Sequence, residues 1–396
     1  MSAVRFPTVE GRGFTPDPVL AERRDGGEPI FKIQPLYGSE AWLVTRLDDV
    51  RAVLTDNRFS RAATIGVDVA RTQPHPSRET TIIGMDPPDH SRVRRLISAA
   101  MTPRRIEDLR PLTQGLVDRL LDAMAAAGPP ADVVTDLAFP LPIAVISELL
   151  GVPYADRDIF RGWADTFMSS TGHTVDDIMA AHGALSTYLG ELIAVRRATP
   201  HDDLLGALVA ARDEKGSLSE PELVSLGIAL LLGGFETTAS HIAKSVLCLL
   251  IHPHQLQLLR DDPSRIPQAV EELLRYVPIA AGTAIAYIAT EDVEMRGVTI
   301  RAGDAVMASA VAANRDPNAF DRPDDLDVTR ANCPHVGLGH GIHFCLGAHL
   351  ARMELQVAIG SLIDRFPNLR LAVDPADVRW KTGSAVWGLE ALPIEF

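Results

Sequence analysis

From Ser219 to Leu250 the chain carries an almost wholly apolar helical stretch, and this restricts the possible folds more than any other feature. Ser219-Glu220-Pro221-Glu222 opens it with an N-cap serine, a proline in the first turn and a Glu three residues on, a capping box. Apolar residues then cover every side rather than one stripe. At about 1.5 Å per residue such a helix is roughly 45 Å long. A helix apolar all round has to be buried, so it must run through a large core. Its most apolar part, Leu223 to Phe235, reads as too short for a membrane span and is broken by Ser225 and glycines. The chain can furnish the core, since 46% of its 396 residues are apolar.

The rest of the chain supplies a mainly α fold with a smaller β portion. Pro29–Ile33 and Ala41–Thr45 are β-rich runs separated by Tyr37-Gly38-Ser39, a hairpin pattern. Helical spacing follows: Val50, Val53 and Leu54 share a face, as do Leu116, Leu120, Leu121 and Met124 before Gly128-Pro129-Pro130. Residues 140–151, 156–169 and 176–197 are further helix candidates, and Tyr287–Ala289, Val293–Ile300 and Val306–Ala310 read as strands. No repeat or linker divides the chain, so one domain over residues 1–396 is expected. The first residues hold no apolar run suited to a signal peptide or membrane anchor. A net charge of −14 argues against a nucleic-acid partner, which requires a concentrated basic surface. Three cysteines, Cys248, Cys333 and Cys345, form neither a CxxC pair nor a disulfide ladder, which fits a reducing, cytoplasmic setting.

One of these cysteines stands apart. Gly337, Gly339 and Gly341 crowd the approach to Cys345, where a second mostly apolar helix begins. Closely spaced glycines permit a tight turn and close approach of the backbone to a flat ligand. A cysteine at a helix N-terminus faces free N–H groups and the positive end of the dipole, which favour thiolate.

The segment around Cys345 resembles the haem-binding signature of the cytochrome P450 superfamily, Phe-Gly-x-Gly-x-His-x-Cys-x-Gly. It matches at Gly339, Gly341, His343, Cys345 and Gly347, with Leu338 in place of the Phe. The resemblance implies the P450 fold, with haem b between the long central helix and the cysteine-loop helix. Cys345 would be the axial ligand, and Gly339, Phe344 and Gly347 would lie against the cofactor. Glu272-Leu273-Leu274-Arg275 matches the family's Glu-x-x-Arg pair, which is structural; Asp325 stands where a third, basic member is common. Gly233-Gly234-Phe235-Glu236-Thr237-Thr238 matches the oxygen-activation segment. There the glycines would make room for dioxygen, Thr237 would hydrogen-bond the oxygen being activated, and Glu236 would relay protons from solvent. The stretch from Asp86 to Arg95 resembles the approach to the haem, so His90 and Arg94, with His343, would meet its propionates. Tyr287 sits where another propionate arginine is usual, from which a lower haem potential is expected.

The resemblance spans nearly the whole chain and is closest to soluble bacterial members that modify actinobacterial natural products. It implies electrons from NAD(P)H through a ferredoxin reductase and a ferredoxin, for which Arg95, Arg104, Arg105 and Arg352 are a candidate patch. It also implies a monomer without a membrane anchor. The pocket residues it suggests are Ile82, Ile83, Phe167, Met168, Ala229, Leu232, Gly233, Thr283, Ile285 and Trp387, an apolar set suited to a hydrophobic small molecule. Small residues at 280–282 and 284 would leave room above the haem. A weaker likeness, at Gly38–Val44 and Phe167–Ser170, is to members that oxidise or couple cyclodipeptides. The expected chemistry is hydroxylation, epoxidation or oxidative coupling. The alternative is a haem sensor or carrier without oxygen chemistry, which the Glu236–Thr237 pair disfavours.

Overall fold

The computed structural model describes residues 3–7, 13–74, 81–169, 171–201, 203–215, 218–279 and 285–396. The capping box forms as expected. The Glu222 N–H donates to Ser219 Oγ at 3.3 Å, and the Ser219 N–H donates to Glu222 Oε2 at 2.7 Å. From it a central helix runs Glu220–Ile251. The reading that its apolar part is too short to span a membrane needs correction. By length and composition this helix and Val175–Ala198 are both long and apolar enough to cross one. The central helix, however, has 67% of its apolar window buried, packed between the helices Pro140–Leu150, Val175–Ala198 and Ala348–Arg365. It is the core element that its all-round apolar pattern demands. Val175–Ala198 packs on Arg157–Phe167 and on the central helix.

The β portion forms a six-stranded sheet in the order Val4–Arg5, Ile30–Gln34, Ala41–Val44, Ala305–Ala308, Tyr287–Ala289, Phe59–Ser60. The expected hairpin is antiparallel, with Ile30 opposite Val44 and Ile33 opposite Ala41. Its residues alternate between two apolar clusters, Ile30 and Val44 in one, Phe31 and Leu43 in the other, as a period of two requires. The edge strand pairs antiparallel with its neighbour, Phe59 opposite Ala289 and Ser60 opposite Ile288. That register brings the next residue, Arg61, beside Tyr287. Val293–Ile300 is two short strands, not one. They fold back at Arg296 and Gly297, both with positive φ, the geometry of a tight hairpin turn.

Glu272 and Arg275, on the helix Ile266–Tyr276, are fully buried and form the expected pair through two bonds of 2.7 Å. The doubt over a third basic member is resolved by Arg330, whose Nε donates to Glu272 Oε2 at 3.0 Å. Asp325 contributes only its backbone carbonyl, which accepts from Arg275.

Candidate active site

Cys345 sits in a loop closed by its own backbone. Its N–H donates to the Leu338 carbonyl at 2.9 Å and its carbonyl accepts from the Ala348 N–H at 3.3 Å. Gly341, at φ +67°, is needed here: a Cβ would lie 2.3 Å from the Leu54 carbonyl oxygen. The following helix starts at Ala348, so Cys345 precedes it rather than opening it. That displacement matters, because burial pushes the thiol pKa up against the opposing pull of the Gly347 N–H, Arg94 and Arg352. The helix end alone therefore does not yield a thiolate. A metal bound to the sulfur would, since a coordinating thiol is deprotonated outright.

The sulfur faces a cavity of about 370 Å³ whose opposite wall is the central helix. Leu226, Ala229, Leu230, Gly233, Gly234, Thr237, Thr238 and His241 line it, steps of three and four residues that make one helical stripe. The two glycines differ in purpose. Nothing lies within 4 Å of a Cβ placed on Gly233, which opens space, whereas one on Gly234 would strike the Ile146 side chain at 2.7 Å. A larger residue at Gly234 would therefore have to displace the Ile146 side chain. The Thr237 hydroxyl donates to the Gly233 carbonyl at 3.0 Å and stands on the cavity wall.

Glu236 does not line the cavity. One residue off the stripe, it is buried on another face, where Oε1 accepts from Lys381 Nζ at 3.0 Å. Lys381 also lies 3.5 Å from Asp165, which is 44% exposed. Glu236 Oε2 is buried without a hydrogen-bond partner among the described residues. Burial raises the Glu236 pKa, and Lys381 opposes that.

A basic group clusters at the other end of the cavity. Arg61, His90, Arg94 and His343 all border it. The two imidazoles meet edge to face at 4.5 Å. Neither Arg61 nor Arg94 has a carboxylate partner among the described residues, and His343 Nε2, Arg61 Nε and the Tyr287 hydroxyl are buried without hydrogen bonds. Burial, then Arg61, His90 and Arg94, hold the His343 pKa down at about 3; burial, then Arg94 and Arg61, lower that of His90. Two guanidiniums without a carboxylate partner among the described residues, beside two imidazoles held neutral, are costly to bury unless an anion joins them. Haem b meets every part of this arrangement: two carboxylates for the basic cluster, an iron for Cys345, and a flat apolar body for Phe344, Gly339 and Gly347 on the cavity wall. Tyr287 borders an adjoining hollow together with His343.

Of the expected pocket residues, Ile82, Ile83, Ala229, Gly233 and Ile285 line the cavity, and Thr283 with its neighbours 280–284 lies outside the described residues. Leu232, Phe167, Met168 and Trp387 are not among the described residues that line it. Leu232 falls off the helical stripe and is buried in the core. Phe167 packs on the His182 ring at 5.4 Å. The Met168 carbonyl is bonded to the Ala385 N–H, and the Trp387 N–H donates to the carbonyl of Ile279, which lines the cavity. The segments likened to cyclodipeptide enzymes, Gly38–Val44 and Phe167–Ser169, thus add nothing to the lining; Ser170 is outside the described residues. Arg352 is half-buried and tied to Glu271 by bonds of 2.7 and 2.9 Å. Arg95, Arg104 and Arg105 are exposed. Sequence reading missed Arg61 and Lys381, because each reaches the site from a remote segment; only a known strand register or loop path identifies them.

Residues 265–381 match the family model "Cytochrome P450". The chain is 50% identical to nocardicin C N-oxygenase of Nocardia uniformis subsp. tsuyamanensis, over 96% of each chain. It is 48% identical to mycinamicin IV hydroxylase/epoxidase of Micromonospora griseorubida, over 93% of this chain and 92% of that one. The crystal structure of HinD with NMFT and NO superposes over 100% of both chains with a TM-score of 0.97 at 47% identity. With the cysteine loop, the oxygen-side helix and the basic cluster all in place, these likenesses establish that the chain belongs to the cytochrome P450 family.

Proposed function

We propose that this protein is a haem-thiolate monooxygenase that tailors a hydrophobic natural product, acting as one catalytic domain over residues 1–396. The observation that carries this reading is the placement of Cys345 and Thr237 across one cavity whose far end holds an unpaired basic cluster. Bound there, haem b supplies iron-centred activation of O2 for oxygen insertion. Cys345 donates its sulfur to the metal, and Arg61, Arg94, His90 and His343 hold the carboxylates. Thr237 holds a proton at Oγ1 on the cavity wall. Glu236, with a pKa raised by burial and one oxygen without a partner among the described residues, is suited to accept a proton and pass it on. Lys381 and Asp165 connect it to solvent. The apolar walls bind the substrate and exclude water.

The named relatives oxygenate nitrogen, hydroxylate and epoxidise, so this family neighbourhood supports oxygen chemistry and gives no support to a passive sensor or carrier. Electrons come from NAD(P)H through a ferredoxin reductase and a ferredoxin. The exposed Arg95, Arg104 and Arg105 suit an acidic ferredoxin, since steering requires only local complementarity. The protein works as a cytoplasmic monomer. The reduced carbon-monoxide spectrum tests the core of this proposal: the thiolate-shifted Soret band is expected, and an unshifted band overturns it. A screen of hydrophobic natural products for a high-spin shift then identifies the substrate class.

A further inference from the structure

The strand register that pairs Ser60 with Ile288 sets Arg61 next to Tyr287, at the position where the family pattern puts an arginine. The Arg61 guanidinium lies over the Tyr287 ring, 4.7 Å from its centroid. Its attachment is well fixed. The Asp86 carboxylate accepts hydrogen bonds from the Ser60 hydroxyl, the Arg61 N–H and the Ala62 N–H, clamping the backbone on both sides. Arg61 Nη1 donates to the Ile83 carbonyl at 3.1 Å. That leaves Nε buried with no partner, beside two more orphans, the Tyr287 hydroxyl and His343 Nε2. Among the described residues these three buried polar atoms, from three separate segments, lack hydrogen-bond partners, and together they outline one missing acceptor group. Among them only Arg61 brings a permanent charge.

We propose that Arg61 is the cation that holds one haem propionate in this chain, replacing an arginine at position 287, with Tyr287 serving as the platform on which its guanidinium rests. The inference rests on the cavity being a haem site. It also revises the expectation drawn from Tyr287 alone: the charge is moved to the neighbouring strand rather than lost, so the potential depends on Arg61.

The test uses purified holoprotein and two readouts other than turnover, the reduction potential by spectroelectrochemical titration and the rate of haem release to excess apomyoglobin. Arg61→Gln should lower the potential by the equivalent of about tenfold in the ferric-to-ferrous ratio, about 59 mV for one electron. It should also speed haem release about tenfold. Arg61→Lys, which keeps the charge, should retain most of the potential. The exchange Arg61→Gln with Tyr287→Arg should restore both readouts. Wild-type values in Arg61→Gln overturn the proposal, as does faster release with an unmoved potential, which is the mark of a packing role. If Arg61→Gln cannot retain haem, recovery in the lysine and exchange variants supports the proposal and recovery in neither overturns it. Failure of the haem-thiolate reading is separate, because it would appear as an unshifted carbon-monoxide band in the wild type.

Discussion

Two of the buried glutamates, Glu272 and Glu236, are bonded in opposite ways. Glu272 is saturated. It accepts from Arg275 Nε and Nη2, from Arg330 Nε and from the Asp327 N–H, enough to fill the four lone-pair sites of a carboxylate, with the Cys333 thiol adding a longer contact of 3.7 Å. Arg275 is equally complete, its other donors going to the carbonyls of Asn314, Pro323 and Asp325. Glu236 is half satisfied, with Lys381 on one oxygen and nothing on the other among the described residues. A saturated network fixes a shape and has no proton to exchange. A carboxyl with a free oxygen and an exposed second neighbour keeps that capacity, at a cost in stability. Removing each in turn should therefore have different consequences.

The largest effect belongs to the saturated side. Glu272→Gln leaves Arg275 and Arg330 without their counter-charge, and breaking a buried pair costs about 3–5 kcal/mol. We expect it to collapse the yield of folded holoprotein, or to lower the denaturation midpoint sharply where protein is recovered. A loss under about 1 kcal/mol would break the equation of saturation with structure. Glu236→Gln should do the reverse. Turnover coupled to product should fall about 10²–10⁴-fold, the worth of a positioned proton-transfer group. The denaturation midpoint should hold or rise, because an ionisable group buried with one oxygen unbonded is replaced by a neutral one. Equal losses of stability in the two variants would erase the contrast.

This contrast was only partly legible in the sequence. Local patterns carried the central helix, the first hairpin, the Glu-x-x-Arg pair and the cysteine loop, because each of their determinants lies within a few residues. The partners that decide function come from afar. Arg330 lies 58 residues from Glu272 and Lys381 lies 145 from Glu236, and no periodicity records such contacts. Leu232 shows a subtler limit. It is as apolar as its cavity-lining neighbours Leu226 and Leu230, and only the position of the stripe around the helix keeps it off the described lining. In the same way Cys345 reads as a helix-end thiolate by spacing, yet the helix begins at Ala348 and burial outweighs the dipole.

A smaller effect sharpens the oxygen side. Lys381 opposes the burial that raises the Glu236 pKa, so Lys381→Met should raise it further. The carboxylate then forms only at higher pH. The acidic limb of the turnover profile should move towards higher pH, and turnover at a fixed acidic pH should fall in proportion to the lost carboxylate fraction. A profile that keeps its position would remove Lys381 from the proton route.

The smallest expected effect comes from another buried charge, on the same helix as Glu236 and two turns past it. Lys244 is fully buried; its Nζ donates to the Pro278 carbonyl and lies 5.3 Å from the Trp380 ring centroid. No carboxylate pairs with it among the described residues. Burial lowers its pKa to about 7. Between there and the ordinary lysine range near about 10, the unfolded chain holds a proton that the native state has released. Stability should therefore rise with pH across that window, by the linkage relation. Lys244→Met removes the titrating group, and its thioether fits an irregular apolar gap. Chemical denaturation should find the variant more stable than wild type by at least about 1 kcal/mol at pH 6, with the gap closing towards pH 10. Coupled turnover should be unchanged, because Lys244 reaches neither the cavity nor Glu236. If the substitution instead destabilises at pH 6, Lys244 belongs with Glu272 as a satisfied structural charge. An unpaired group on this helix would then no longer mark the departure from the structural rule that sets Glu236 apart.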